Sequence, residues 1–95
     1  MDFGQAIRML RKEHNITQAQ LAERCFVSDS TVSAWERDDT FPPKGAMERL
    51  CKAFGVPAAY LMMASIDEGD FPEDKRILYR TQLDPLRREL LSKRP

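Results

Sequence analysis

A capping box at Thr17 and Gln20 opens a helix only a few residues after the preceding apolar pattern runs out, and this spacing commits the chain to short helices joined by tight turns. Upstream, Asp2 is placed as a cap with Gln5 reaching back, and Phe3, Ala6, Ile7 and Leu10 recur at three- and four-residue steps. That pattern predicts a first helix with one buried face, ending near His14 and Asn15. Ile16 and Leu21 flank the second start as a hydrophobic staple, with Leu21, Ala22 and Cys25 facing inward. The pattern breaks at Phe26, Val27 and Ser28. A third helix follows in which Val32 and Trp35 are the apolar pair among the small residues Ser30, Thr31, Ser33 and Ala34. So narrow an apolar stripe makes a poor core element, and the outer face is suited to close approach.

A loop from Asp38 to Pro43 leads to a fourth helix carrying Met47, Leu50, Cys51 and Phe54, stopped by Gly55 as a left-handed cap. A fifth opens at Pro57, in a first-turn position, and packs Tyr60, Leu61 and Met62. The expected fold class is all-α: a compact five-helix domain over residues 1–64, followed by a charged C-terminal extension over 65–95. Within the extension, Pro72 is placed to open a helix through Leu83. Asp84 followed by Pro85 is the stronger start, an N-cap and first helical residue leading into Leu86, Leu90 and Leu91. Such helices cannot bury their apolar stripe alone. They either fold back on the domain or pack against a second copy.

The chain has 95 residues, 42% of them hydrophobic, enough for one modest core and no second ordinary domain. Its longest apolar stretch, Val56 to Ala64, is short and holds Pro57, so neither a membrane span nor a signal-peptide core is expected, and the location expected is cytoplasmic. Cys25 and Cys51 lie in apolar company, and the single histidine is His14. That matches neither a zinc spacing nor a disulfide framework, so both are read as core thiols, with no metal and no cofactor. No glycine-rich phosphate loop and no facing carboxylate pair suggests an enzyme, and no catalytic residue is assigned. Fifteen basic and fifteen acidic residues give a net charge of zero, so any nucleic acid is held by local geometry rather than by an overall field.

The stretch TQAQLAERCFVSDSTVSAWERD resembles the helix-turn-helix of the Cro/CI-type regulators, the family that includes the phage lambda-like repressors. Thr17-Gln18, Leu21-Ala22, Val27-Ser28, Thr31-Val32-Ser33 and Trp35-Glu36-Arg37 match in order and spacing, as do Phe54-Gly55-Val56 and Tyr60-Leu61 downstream. The resemblance implies a lambda repressor-like DNA-binding domain whose partner is an operator in double-stranded DNA. Ser28, Asp29, Ser30 and Ser33 are short and polar, as base contacts in the major groove require, and Asp29 suits the amino group of cytosine. Capping of the third helix by Ser28 or Asp29 is the competing reading. The family's pattern gives Gln18, Arg37, Thr40 and Lys44 contacts to the DNA backbone, and joins Arg11 and Glu36 as a partly buried ion pair. Three departures stand out: Phe26 where the family commonly has glycine, Asp38 in place of the glycine after the third helix, and Pro57 in place of a capping serine. A homodimer is expected, with Tyr60, Met62, Leu86, Leu90 and Leu91 as contact candidates. The expected function is a dimeric phage or prophage repressor on an inverted-repeat operator. The alternative is an antitoxin or interaction module of the same fold, binding a protein through residues 66–95.

Overall fold

Asp2 accepts a hydrogen bond from Gln5 N and starts α1 (Phe3–Glu13), whose Phe3, Ala6, Ile7 and Leu10 are buried. In the computed structural model, which describes residues 2–92, four more helices follow at short intervals: α2 (Gln18–Cys25), α3 (Asp29–Glu36), α4 (Lys44–Phe54) and α5 (Ala58–Ser65). The Thr17 hydroxyl accepts from Gln20 N while the Gln20 side chain accepts from Thr17 N, so the capping box is complete. Ser28 caps α3 in the same way through Thr31 N. Ile7, Leu10, Leu21, Val32, Leu50 and Leu61 from the five helices meet in one core with almost no exposure. Burying each such side chain contributes about 1.5–3 kcal/mol.

The helices α1 to α4 all stop by the same device. Asn15, Phe26, Asp38 and Gly55 take a left-handed conformation with φ of 55°, 57°, 59° and 66°. After each, the next N–H reaches back five residues: Ile16 to Arg11 O, Val27 to Ala22 O, Asp39 to Ala34 O and Val56 to Cys51 O. Glycine, asparagine and aspartate tolerate this region, whereas phenylalanine enters it at a cost of about 1–2 kcal/mol. His14 joins two of these ends, its ring nitrogens lying 2.9 Å from Leu10 O and 3.1 Å from Phe54 O.

The extension departs from its sequence reading. Pro57 is the N-cap of α5, one residue before the first turn. No single helix runs from Pro72 to Leu83; 3-10 turns at Glu68–Asp70 and Glu73–Lys75 lead instead to α6 (Arg76–Leu78), a π-helical turn (Tyr79–Leu83) and α7 (Asp84–Ser92). Asp84 does not cap a new helix, because its backbone is already helical at φ −62° and ψ −41°. Pro85 accounts for the π-helical turn. Proline lacks an N–H and its ring clashes with the carbonyl four residues back, so a helix continuing through it widens by one residue into a π turn. The Asp84 carboxylate, freed from capping, sits 2.9 Å from Arg88 and 3.6 Å from Arg87. The extension folds back on α5: Arg87 donates to Met63 O at 2.7 Å and Ala64 O at 3.0 Å, and Leu91 packs against the core. Cys25 is buried and Cys51 half-buried, both are free thiols, and burial pushes both upward from the usual thiol range. No helix among the described residues is long and apolar enough to cross a membrane.

Candidate nucleic-acid interface

The outer end of α3 is short, polar and open. Ser28, Asp29 and Ser30 are exposed, with Ser33 and Thr31 partly so one turn further along. The Ser28 hydroxyl lies 2.9 Å from both Ser30 Oγ and Thr31 Oγ1. Because Ser28 is the cap, Asp29 is left in the first helical turn, where its charge is favoured by the helix dipole without serving as the cap. Nothing on this surface is longer than an aspartate, so the backbone of α3 can come close to a flat or grooved partner.

The inner end of α3 is held by the buried carboxylate of Glu36. Arg11 Nε donates to Glu36 Oε2 at 2.7 Å and Arg11 Nη2 to Oε1 at 3.2 Å. Arg8 Nε and Gln18 Nε2 donate to the same Oε1 at 3.4 and 3.1 Å. The Glu36 side chain is 0% exposed and that of Arg11 14%. Burial alone would raise the Glu36 carboxyl, but the hydrogen bonds from Arg11, Gln18 and Arg8, with the Arg11 charge, outweigh it and hold the group below its ordinary value. Three helices are thereby joined at one point: α1 through Arg8 and Arg11, α2 through Gln18, α3 through Glu36.

The remaining residues singled out from the sequence flank this unit. Gln18 opens α2 and is tied to Glu36. Arg37 donates from Nε to Asp39 Oδ2 at 2.9 Å and from Nη1 to the Ser33 hydroxyl, so Ser33 and Arg37 act together. Thr40 and Lys44 are exposed on the loop and at the start of α4. Asp38 is exposed, and its Oδ1 accepts from Gly4 N at 2.9 Å in the first turn of α1, so the carboxylate is tied to that helix rather than turned freely outward. Tyr60 is buried and its hydroxyl donates to Leu91 O at 3.4 Å, while Met62, Leu86 and Leu90 are exposed.

Sequence reasoning missed two participants. Arg8 carried a signal, lying three residues before Arg11 on one helical face. Gly4 carried none: a Cβ there would lie 2.5 Å from Glu36 O and 2.7 Å from Trp35 O, so only glycine lets α1 pack on the end of α3.

Phe26, between α2 and α3, is 82% exposed, with the Arg49 guanidinium 5.8 Å from its ring centroid. Most of what the ring provides is therefore a cation contact worth about 0.5–1 kcal/mol, set against the left-handed strain. Phe26→Gly is expected to stabilise the protein by about 1 kcal/mol in urea denaturation. An unchanged or lower midpoint would show that the ring supports the turn.

The chain matches the family model described as helix-turn-helix over residues 7–61. It is 36% identical over 56 residues to the HTH-type transcriptional activator BcrR of Enterococcus faecalis, covering 59% of this chain and 28% of that protein. To the cryptic phage CTXphi transcriptional repressor RstR of Vibrio cholerae it is 32% identical over 89 residues, covering 94% of this chain and 80% of that one. The crystal structure of the P22 c2 repressor protein in complex with a synthetic operator is similar at a TM-score of 0.61 and 36% identity, covering 64% of this chain and 92% of that chain. The helical unit is thus the fold of the phage repressor DNA-binding domains.

Proposed function

This chain belongs to the helix-turn-helix family, and on that premise we propose that it is a sequence-specific DNA-binding transcriptional regulator, a dimeric repressor of phage or prophage type. The observation that carries this reading is the contrast between the ends of α3: Ser28, Asp29 and Ser30 are open to solvent at one, and Glu36 is locked to Arg11, Arg8 and Gln18 at the other. A reading helix needs both, short polar side chains that reach base edges and a rigid mount that fixes their register. Ser28, Asp29, Ser30 and Ser33 contact bases, with Asp29 accepting from a cytosine amino group. Gln18, Arg37, Thr40 and Lys44 hold phosphates and set the orientation.

With a net charge of zero, the whole-chain field adds nothing to affinity, so fit and these few contacts supply it. One such helix covers too few base pairs for useful selectivity. Two copies related by a two-fold axis place their α3 helices about 34–36 Å apart on an inverted-repeat operator, where they block polymerase.

Two substitutions separate reading from holding. Asp29→Ala is expected to change base preference at one or two positions of the bound site, whereas Lys44→Ala weakens binding to all sequences and lowers the salt slope by about 1. Binding assays on a panel of duplexes at several salt concentrations measure both. Base preference unchanged in Asp29→Ala would remove that residue from the reading surface.

A further inference from the structure

We propose that the exposed ring of Phe26, set among Arg24, Arg49 and Lys52, is a docking site for an acidic peptide segment of a partner protein that carries an apolar side chain between its carboxylates. Phe26 is 82% exposed and holds a left-handed backbone at φ 57°. Strain of this kind persists where function requires it. The ring returns little to the fold beyond its contact with Arg49, so domain stability does not explain a large apolar side chain in a turn that glycine would fill without strain.

The surroundings of the ring form a definite site. Arg24, Phe26, Arg49, Lys52 and Ala53 line a cleft of about 390 Å³ between the end of α2 and the second half of α4. Arg49 is fixed within it, its Nε donating to Cys25 O at 2.8 Å while the guanidinium lies 5.8 Å from the Phe26 centroid. Arg24 and Lys52 stand exposed in the last turns of α2 and α4, where the helix dipoles favour cations. That accounts for two of the charges but not for the ring beside them.

These cations are also unbalanced. Arg8, Arg11, Arg37, Arg80, Arg87 and Arg88 each lie within 3.6 Å of a carboxylate, whereas among the described residues Arg24, Arg49 and Lys52 take part in no ion pair. In a chain of zero net charge this leaves a local positive patch. On the other side of the ring Gln20 and Glu23 line a second groove with Arg24, so the positive charge is concentrated toward α4.

An acidic segment with an apolar anchor meets both features, its carboxylates pairing with the cations while the anchor covers the ring. Arginine and aromatic side chains together are the composition that carries affinity at protein interfaces. A nucleic acid fits less well. A duplex backbone offers phosphates to the cations but nothing to cover a phenyl ring projecting between them. A single strand stacks successive bases on several rings, whereas Phe26 is the one aromatic among the described residues lining either groove. Phe26 lies two residues before Ser28, so a protein docked here stands beside the reading end of α3.

Fluorescence anisotropy with the capped, labelled peptide DEDFDED tests the site on the full chain at about 50 mM salt, where exposed charge pairs are weakly screened. Wild type is expected to bind it saturably, Phe26→Gly to weaken binding about tenfold, and Arg24→Ala and Lys52→Ala about two- to fivefold each. All three side chains are exposed, so circular dichroism and the melting midpoint are expected to report a folded protein in each variant. The peptide DEDADED, in which alanine replaces the anchor, is expected to bind wild type as weakly as DEDFDED binds Phe26→Gly. No saturable binding by wild type, equal binding of the two peptides, or binding that Phe26→Gly leaves intact overturns the proposal. The same variants are titrated with the duplexes that wild type selects and with a single-stranded oligonucleotide. Unchanged duplex affinity supports a separate docking site, whereas a parallel loss of duplex or single-strand affinity assigns the surface to nucleic acid and overturns the proposal. Peptide binding by a chain that binds no duplex upholds this site and overturns the DNA reading.

Discussion

Glu36→Ala is expected to destabilise the protein by about 3–5 kcal/mol, as much as truncating a large core side chain. The Glu36 carboxylate is fully buried and accepts from Arg11, Arg8 and Gln18. Removing it leaves the Arg11 guanidinium, 14% exposed, with its principal counter-charge gone and, among the described residues, Ile16 O at 3.1 Å as its remaining acceptor. The pair taken as a whole stabilises far less than this, because bringing two charges out of water offsets most of their attraction. The cost of the substitution is therefore the cost of an orphaned buried cation, and urea denaturation at about pH 7 measures it. DNA binding is expected to fall further than stability does, since α3 loses its mount. A loss under about 1 kcal/mol would mean that Arg11 finds solvent easily and that the lock is not structural.

The same carboxylate gives the fold an acid dependence with a definite sign. Its pKa in the folded protein lies below the ordinary value, so its contribution is complete above the unfolded carboxylate range and is lost as pH falls through the folded value. Glu36→Gln is expected to remove that part of the slope: the stability difference between wild type and variant should shrink between about pH 7 and about pH 3.

Gly4→Ala is expected to cost about 3 kcal/mol, opposite in sign to the usual gain of about 1 kcal/mol for glycine to alanine inside a helix. The added Cβ would sit 2.5 Å from Glu36 O and 2.7 Å from Trp35 O, both backbone atoms that cannot rotate away. Relief requires α1 to shift off the end of α3, which also strains the hydrogen bond from Gly4 N to Asp38 Oδ1 and the Arg11–Glu36 pair. Thermal or urea midpoints of the purified variant test this. Stabilisation by alanine would show that the close approach of α1 to α3 is not required.

These two residues mark what a sequence does and does not disclose. Helix starts were legible because capping is local: Thr17 with Gln20, and Ser28 with Thr31, satisfy one another within four residues. The stop at Gly55 was legible for the same reason. Phe26 was legible only as a departure from the family's glycine, since nothing local favours a left-handed phenylalanine; the packing of α2 against α3 imposes the turn and overrides the preference. Gly4 reads as a weak point in a helix until a backbone 32 residues away is brought against it. Pro85 was read as a helix start because local rules place proline there, whereas the contacts of Arg87 and Leu91 with α5 keep the helix continuous and force the π turn. Within the candidate interface, the short polar surface of α3 was visible in the sequence. The engagement of Asp38 with α1, and of Ser33 with Arg37, depended on the fold.

The central claim, that α3 reads DNA, is tested most directly by selecting bound duplexes from a random pool with the full chain. The account predicts enrichment of an inverted repeat whose half-sites lie about 10–10.5 base pairs apart, centre to centre. A folded protein that enriches no sequence would contradict it.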